Sequence, residues 1–88
     1  MQNAIEWNRY AVVHWKVSVL SERGEAHRKG KTRAFAGLMQ AVTFVKALSD
    51  EHRQTARVDC GGKSFRMNEI DYLAGHEDFL REGRLAAT

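Results

Sequence analysis

The stretch that most limits what this chain can fold into is YAVVHWKVSVL, residues 10 to 20. Ala11, Val13, Trp15, Val17 and Val19 fall on one side of a two-residue period, and Tyr10, Val12, His14, Lys16 and Ser18 on the other. That alternation describes a half-buried strand. Its β-branched and aromatic residues favour the same conformation. Such a strand needs neighbours at its edges and a layer over its apolar face, and the remaining sequence has to supply both.

SERGE follows and reverses the chain, with Gly24 free to take the positive φ that hairpin loops use. The returning segment, Ala26 to Lys31, lacks apolar alternation and reads as an edge strand protected by its lysines. Thr32 then fits the N-cap of a helix from Arg33 to about Leu48. Apolar residues surround that helix almost completely, leaving only Arg33, Gly37, Gln40, Thr43 and Lys46 as a polar seam. One sheet face would cover only about half of it.

TARVDCGGKSFRM predicts a second hairpin turning on Gly61 and Gly62. The implied register sets Cys60 opposite Lys63, Asp59 opposite Ser64 and Val58 opposite Phe65. It continues with Arg57 opposite Arg66 and Ala56 opposite Met67. Asn68 is placed to cap a last helix, with Glu69 and Asp71 in its first turn, where the macrodipole favours acids. Ile70, Leu73 and Leu80 point inward, and Gly75 breaks or bends the helix. The predicted order is ββαββα in a small α+β fold, its antiparallel hairpins packed on one long apolar helix and a short C-terminal helix.

At 88 residues there is room for one domain and little chain to spare for shielding a reaction cleft. The expectation is a single domain over 1–88, frayed at 1–8 and 83–88, and not an enzyme. Cys60 is the only cysteine, so no intramolecular disulfide forms, and MQNAIEWN has no apolar leader core. These features read as cytoplasmic. Ala34 to Leu48 is too short to span a bilayer, so no membrane contact is expected.

His14, His27, His52, His76 and Cys60 show no ligand-pair spacing such as CxxC or HxxxH, so no metal and no other cofactor are expected. Cys60 sits on the apolar side of a hairpin and reads as a small buried hydrophobe rather than a nucleophile. Phosphate-loop, dinucleotide and nucleophile-elbow motifs do not occur.

The net charge of +3 is unevenly spread. Between residues 23 and 33, Arg23, Arg28, Lys29, Lys31 and Arg33 face a single acid, Glu25, whereas residues 69 to 82 carry five acids against Arg81. The molecule is a dipole, which suits self-association or an amphoteric partner as well as a polyanion. A lysine-rich strand entering a helix N-terminus would also place Lys31 and Arg33 beside free N–H groups, an arrangement that suits a phosphate.

Gly30, Lys31, Thr32, Arg33 and Ala34 resemble the strand-to-helix passage of the double-stranded RNA binding domain, a likeness covering about a third of the chain. No helix precedes the strands, a third strand is missing, and Phe35 stands where that family carries a lysine. The chain is therefore not identified as a member.

Two functional readings follow. The first is a non-enzymatic, regulatory protein-binding module, a homodimer that acts by occupying a partner protein's surface through Phe35, Leu38, Met39, Val42, Phe44 and Val45. The alternative is nucleic-acid binding through the basic segment 27–33, using Arg28, Lys29, Lys31 and Arg33, extended by Lys16, Arg57 and Arg66 on the outer sheet face.

Overall fold

The computed structural model describes residues 5–77 and 79–81. The elements run β1 (Ala11–Leu20), β2 (Ala26–Phe35), α1 (Leu38–Ala47), α2 (Asp50–Gln54), β3 (Arg57–Cys60), β4 (Lys63–Phe65) and α3 (Met67–Ala74). The α+β class stands, and one short helix, α2, is added to the expected order. Both hairpins join one antiparallel sheet in the order β2-β1-β3-β4.

Period-two alternation of β1 sets the two faces of the sheet. Ala11 and Val13 are fully buried, opposite Cys60 and Val58 of β3. On this face they meet Leu38, Ala41, Val42 and Val45 of α1 and Ile70 and Leu73 of α3 in one core. Each such Val, Leu or Ile contributes about 1.5–3 kcal/mol by leaving water. The cover that the apolar α1 required is thus the sheet on one side and α3 on another, with Lys46 Nζ 2.9 Å from Asp71 Oδ1 across the helix pair. Among the described residues the opposite sheet face has no helical layer.

The first hairpin closes through a Ser21–Glu25 loop, in which Gly24 takes φ +82° and its N–H donates to Ser21 O at 2.9 Å. β2 pairs with β1 over ten residues, from Leu20 opposite Ala26 to Ala11 opposite Phe35. It therefore runs four residues past the expected end of the strand. Thr32 is not a helix cap, and α1 starts at Leu38 behind Gly37. Pairing with the whole of β1 satisfies backbone groups that an early helix would have left unmatched. At the actual helix start, Met39 N–H donates to Trp7 O at 3.1 Å. A Cβ on Gly37 would lie 3.0 Å from that same oxygen, so the glycine permits the close approach.

Gly61 and Gly62 turn the second hairpin with φ +59° and +80°. The register over Val58–Phe65, Asp59–Ser64 and Cys60–Lys63 is as expected. It stops there, because Arg66 is already the N-cap of α3 and Met67 its first residue. Arg57 and Arg66 are not paired, and Asn68 is not the cap. Gly75 ends α3 as its C-cap. Beyond it the helical phase shifts, so Phe79 packs against the core while Leu80, expected inward, is 50% exposed. Ile5 and Trp7 also pack against the core. Residues 1–4 and the expected C-terminal fray at 83–88 lie outside the described residues.

β3 flanks β1 only from Ala11 to His14. Further along, α2 takes that edge: Lys16 N–H donates to Thr55 Oγ1 at 2.9 Å, and Ser18 Oγ to Glu51 Oε1 at 2.7 Å. The distal β1–β2 ribbon extends the molecule to 52 × 31 × 22 Å with a radius of gyration of 14.7 Å. A compact domain of this length would have a radius of about 12 Å.

Candidate functional site

β2 places its cations on both faces of the ribbon. Register sets Lys29 opposite Val17, Lys31 opposite Trp15 and Arg33 opposite Val13, all on the helix-bearing side. Arg28, opposite Ser18, lies on the other side, next to the Lys16–Gly30 and His14–Thr32 pairs. All four β2 cations and Lys16 are exposed. Among the described residues none of the five takes part in an ion pair.

Four cations nearer the body behave differently. Arg9 meets Glu6 at 2.6 Å, Lys46 meets Asp71 at 2.9 Å, Arg57 meets Asp59 at 3.1 Å, and Arg53 pairs with Asp50. Arg23, Lys63 and Arg66 are likewise exposed and in none of these pairs, but they stand singly, and the densest run of cations without a carboxylate among the described residues is that of β2 with Lys16.

The distal ribbon is anchored by an aromatic group at its base. Phe44 of α1 lies 5.2 Å, centroid to centroid, from both Trp15 and Phe35. The Arg33 guanidinium stacks 5.3 Å from the Phe35 and Phe44 rings. Such cation–π contacts contribute about 0.5–1 kcal/mol at exposed sites. They hold Arg33 while leaving its N–H donors available. Trp15 is consequently a packing residue, as its position in the alternation indicated.

Lys31 and Arg33 do not sit at a helix N-terminus, because both are mid-strand and α1 begins at Leu38. The expected phosphate cradle is therefore not formed. For the same reason residues 30–34 contain no strand-to-helix junction of the kind found in the double-stranded RNA binding domain.

On the open face, Asp59 gathers three partners. Ser64 Oγ donates to it at 2.7 Å, His14 Nε2 lies 3.0 Å away, and Arg57 Nη2 donates at 3.3 Å. The Ser64 hydrogen bond, then Arg57 and His14, hold the Asp59 carboxyl below the usual range. Arg57 is therefore neutralised locally, and Arg66 is exposed at the cap of α3, away from the β2 row. Neither extends that row as expected. The signal missed in the sequence was Asp59 itself, two residues from Arg57 on the same face.

Of the six residues expected at a protein interface, Leu38, Val42 and Val45 are buried in the chain's own core. Phe35, Met39 and Phe44 remain half-buried. Sequence patterning also gave no hint of a groove of ≈ 740 Å³ between the N-terminal segment, the β3–β4 turn and α3. Ile5, Phe65 and Leu73 supply its apolar floor, with Arg9, Glu69 and Tyr72 at the rim. Cys60 also lines it, and burial pushes that thiol up, which keeps it protonated at neutral pH.

Among the described residues no three His, Cys, Asp or Glu side chains come together as a metal site, and no helix is long and apolar enough to cross a membrane. No family model, no curated protein and no solved structure matches this chain.

Proposed function

We propose that this chain is a small non-enzymatic nucleic-acid binding protein whose contact surface is the basic β2 strand. The observation that carries the reading is the division of its cations. Arg9, Lys46, Arg53 and Arg57 of the body have carboxylate partners, whereas Arg28, Lys29, Lys31, Arg33 and Lys16, which lie together on the β1–β2 ribbon, have none among the described residues. Successive same-face residues on a strand are about 6.6 Å apart, so Lys29, Lys31 and Arg33 form a regular row suited to successive phosphates. Each phosphate contact releases condensed counterions, so the affinity should fall steeply as salt rises.

The test is fluorescence anisotropy with a labelled oligonucleotide over a series of salt concentrations. The wild type is expected to bind with a log–log salt slope of about −3 to −5, one unit or slightly less for each cation engaged. Replacing Lys29, Lys31 and Arg33 together by alanine should remove most of that slope and the binding with it. Affinity that survives the triple replacement would reject β2 as the contact surface.

A second reading, a regulatory protein-binding module or homodimer, draws support from the apolar groove beside Tyr72, which is 69% exposed. An exposed aromatic at the rim of an apolar depression is a common anchor for a partner side chain. The ion-pairing pattern favours the first reading, because it concerns four cations in one strand with Lys16 of β1 beside them.

A further inference from the structure

Taking the nucleic-acid reading as its premise, we infer that the ligand is B-form duplex DNA and that β2 seats edge-on in the major groove, its two faces turned toward the two phosphate backbones. Four features lead to this. β2 is the outermost strand of the sheet, and among the described residues its outer edge has no strand partner. Its cations are divided between the faces, with Lys29 and Lys31 on one and Arg28, beside Lys16, on the other. A track for a single strand needs charge on one face, whereas an element lying between two backbones needs it on both.

The third feature is the placement of the aromatic rings. Single-strand platforms stack bases on exposed rings. Here Trp15 is engaged with Phe44, and Phe35 lies under Arg33. The exposed tyrosines, Tyr10 and Tyr72, precede β1 and lie on α3 rather than on the ribbon. Between Lys16 and Lys31 the ribbon carries no Phe, Tyr or Trp, and its one ring is the exposed imidazole of His27 near the loop, which falls short of the row of rings a single-strand platform uses.

The fourth is size. A sheet with its side chains is about 10 Å thick. It fits the major groove of B-DNA, about 12 Å wide, and not the minor groove at about 6 Å. The major groove of an RNA duplex is too narrow to admit side chains in this way. α2 occupies the opposite edge of the ribbon, against Lys16 and Ser18 of β1, and would remain outside the groove.

The experiment compares a DNA duplex about two turns long, one of its single strands, and an RNA duplex of the same sequence at one low salt concentration. The DNA duplex is expected to bind at least about tenfold more tightly than either alternative. A small major-groove ligand should displace the protein, and a minor-groove ligand should not. Arg28→Ala and Lys29→Ala, one on each face, should each weaken duplex binding by about three- to tenfold. Equal or tighter binding to the single strand or the RNA duplex would overturn the duplex DNA assignment while leaving the nucleic-acid reading in place. So would displacement by the minor-groove ligand, or a response to only one of the two variants. Binding to none of the three would reject the inference and its premise together.

Discussion

On the open face of the sheet, Asp59 accepts from Ser64 and Arg57 and lies beside His14, and its carboxyl ionises below the usual range. A carboxylate whose value is lower in the folded than in the unfolded chain adds stability above the unfolded value of about 3.9. That contribution fades as pH falls through the folded value. With its side chain 39% exposed, Asp59 is expected to contribute no more than about 1 kcal/mol at pH 7. Asp59→Asn should therefore lower urea stability slightly at pH 7, and the gap to wild type should close as the pH falls below about 4. The same replacement frees Arg57, so the salt slope for nucleic acid should steepen by up to about one unit. A gap that widens toward low pH would refute this account of Asp59.

Among the elements, the turns were the most legible in the sequence. Gly24, Gly61 and Gly62 all take the positive φ that their neighbours implied, and the three central pairs of the second hairpin hold. The start of α1 was not legible. Thr32, Arg33 and Ala34 suit a helix entrance locally, but ten residues of β1 offered a longer set of hydrogen bonds, and pairing across the chain prevailed. α2 carries its own signal, with Ser49 accepting from His52 N–H and Asp50 and Glu51 in the first turn. It went unread because five residues contain no apolar stripe. The candidate site was half legible. The basic run is plain in the sequence, and the Arg9–Glu6, Arg53–Asp50 and Arg57–Asp59 pairs lie within three residues of each other, but the Lys46–Asp71 pair depends on a carboxylate that only the fold brings near. The apolar circumference of α1 suggested a dimer, yet the structure uses Leu38, Val42 and Val45 internally. Sedimentation is accordingly expected to give the mass of one 10.0 kDa chain. A mass of two chains that Met39→Glu reduces to one would reinstate the helix as an interface.

At the scale of the whole molecule, a packed body carries a ribbon that is supported less and less with distance. β1 has strands on both sides only from Ala11 to His14. α2 holds it as far as Ser18, and from Val19 to the loop β2 is its only pairing partner among the described residues. Local opening is cheapest where few buried contacts must be given up. Amide hydrogen exchange should therefore fall into two tiers, with slow exchange at Val13 and Val58 and fast exchange around Val19 and His27. Uniform protection along β1 would contradict this gradient. The two tiers let the strand carrying the free cations adjust its twist at little energetic cost, while the packed body keeps its shape. A duplex could then choose among ribbon geometries that the unbound molecule already visits, each reached without disturbing the core.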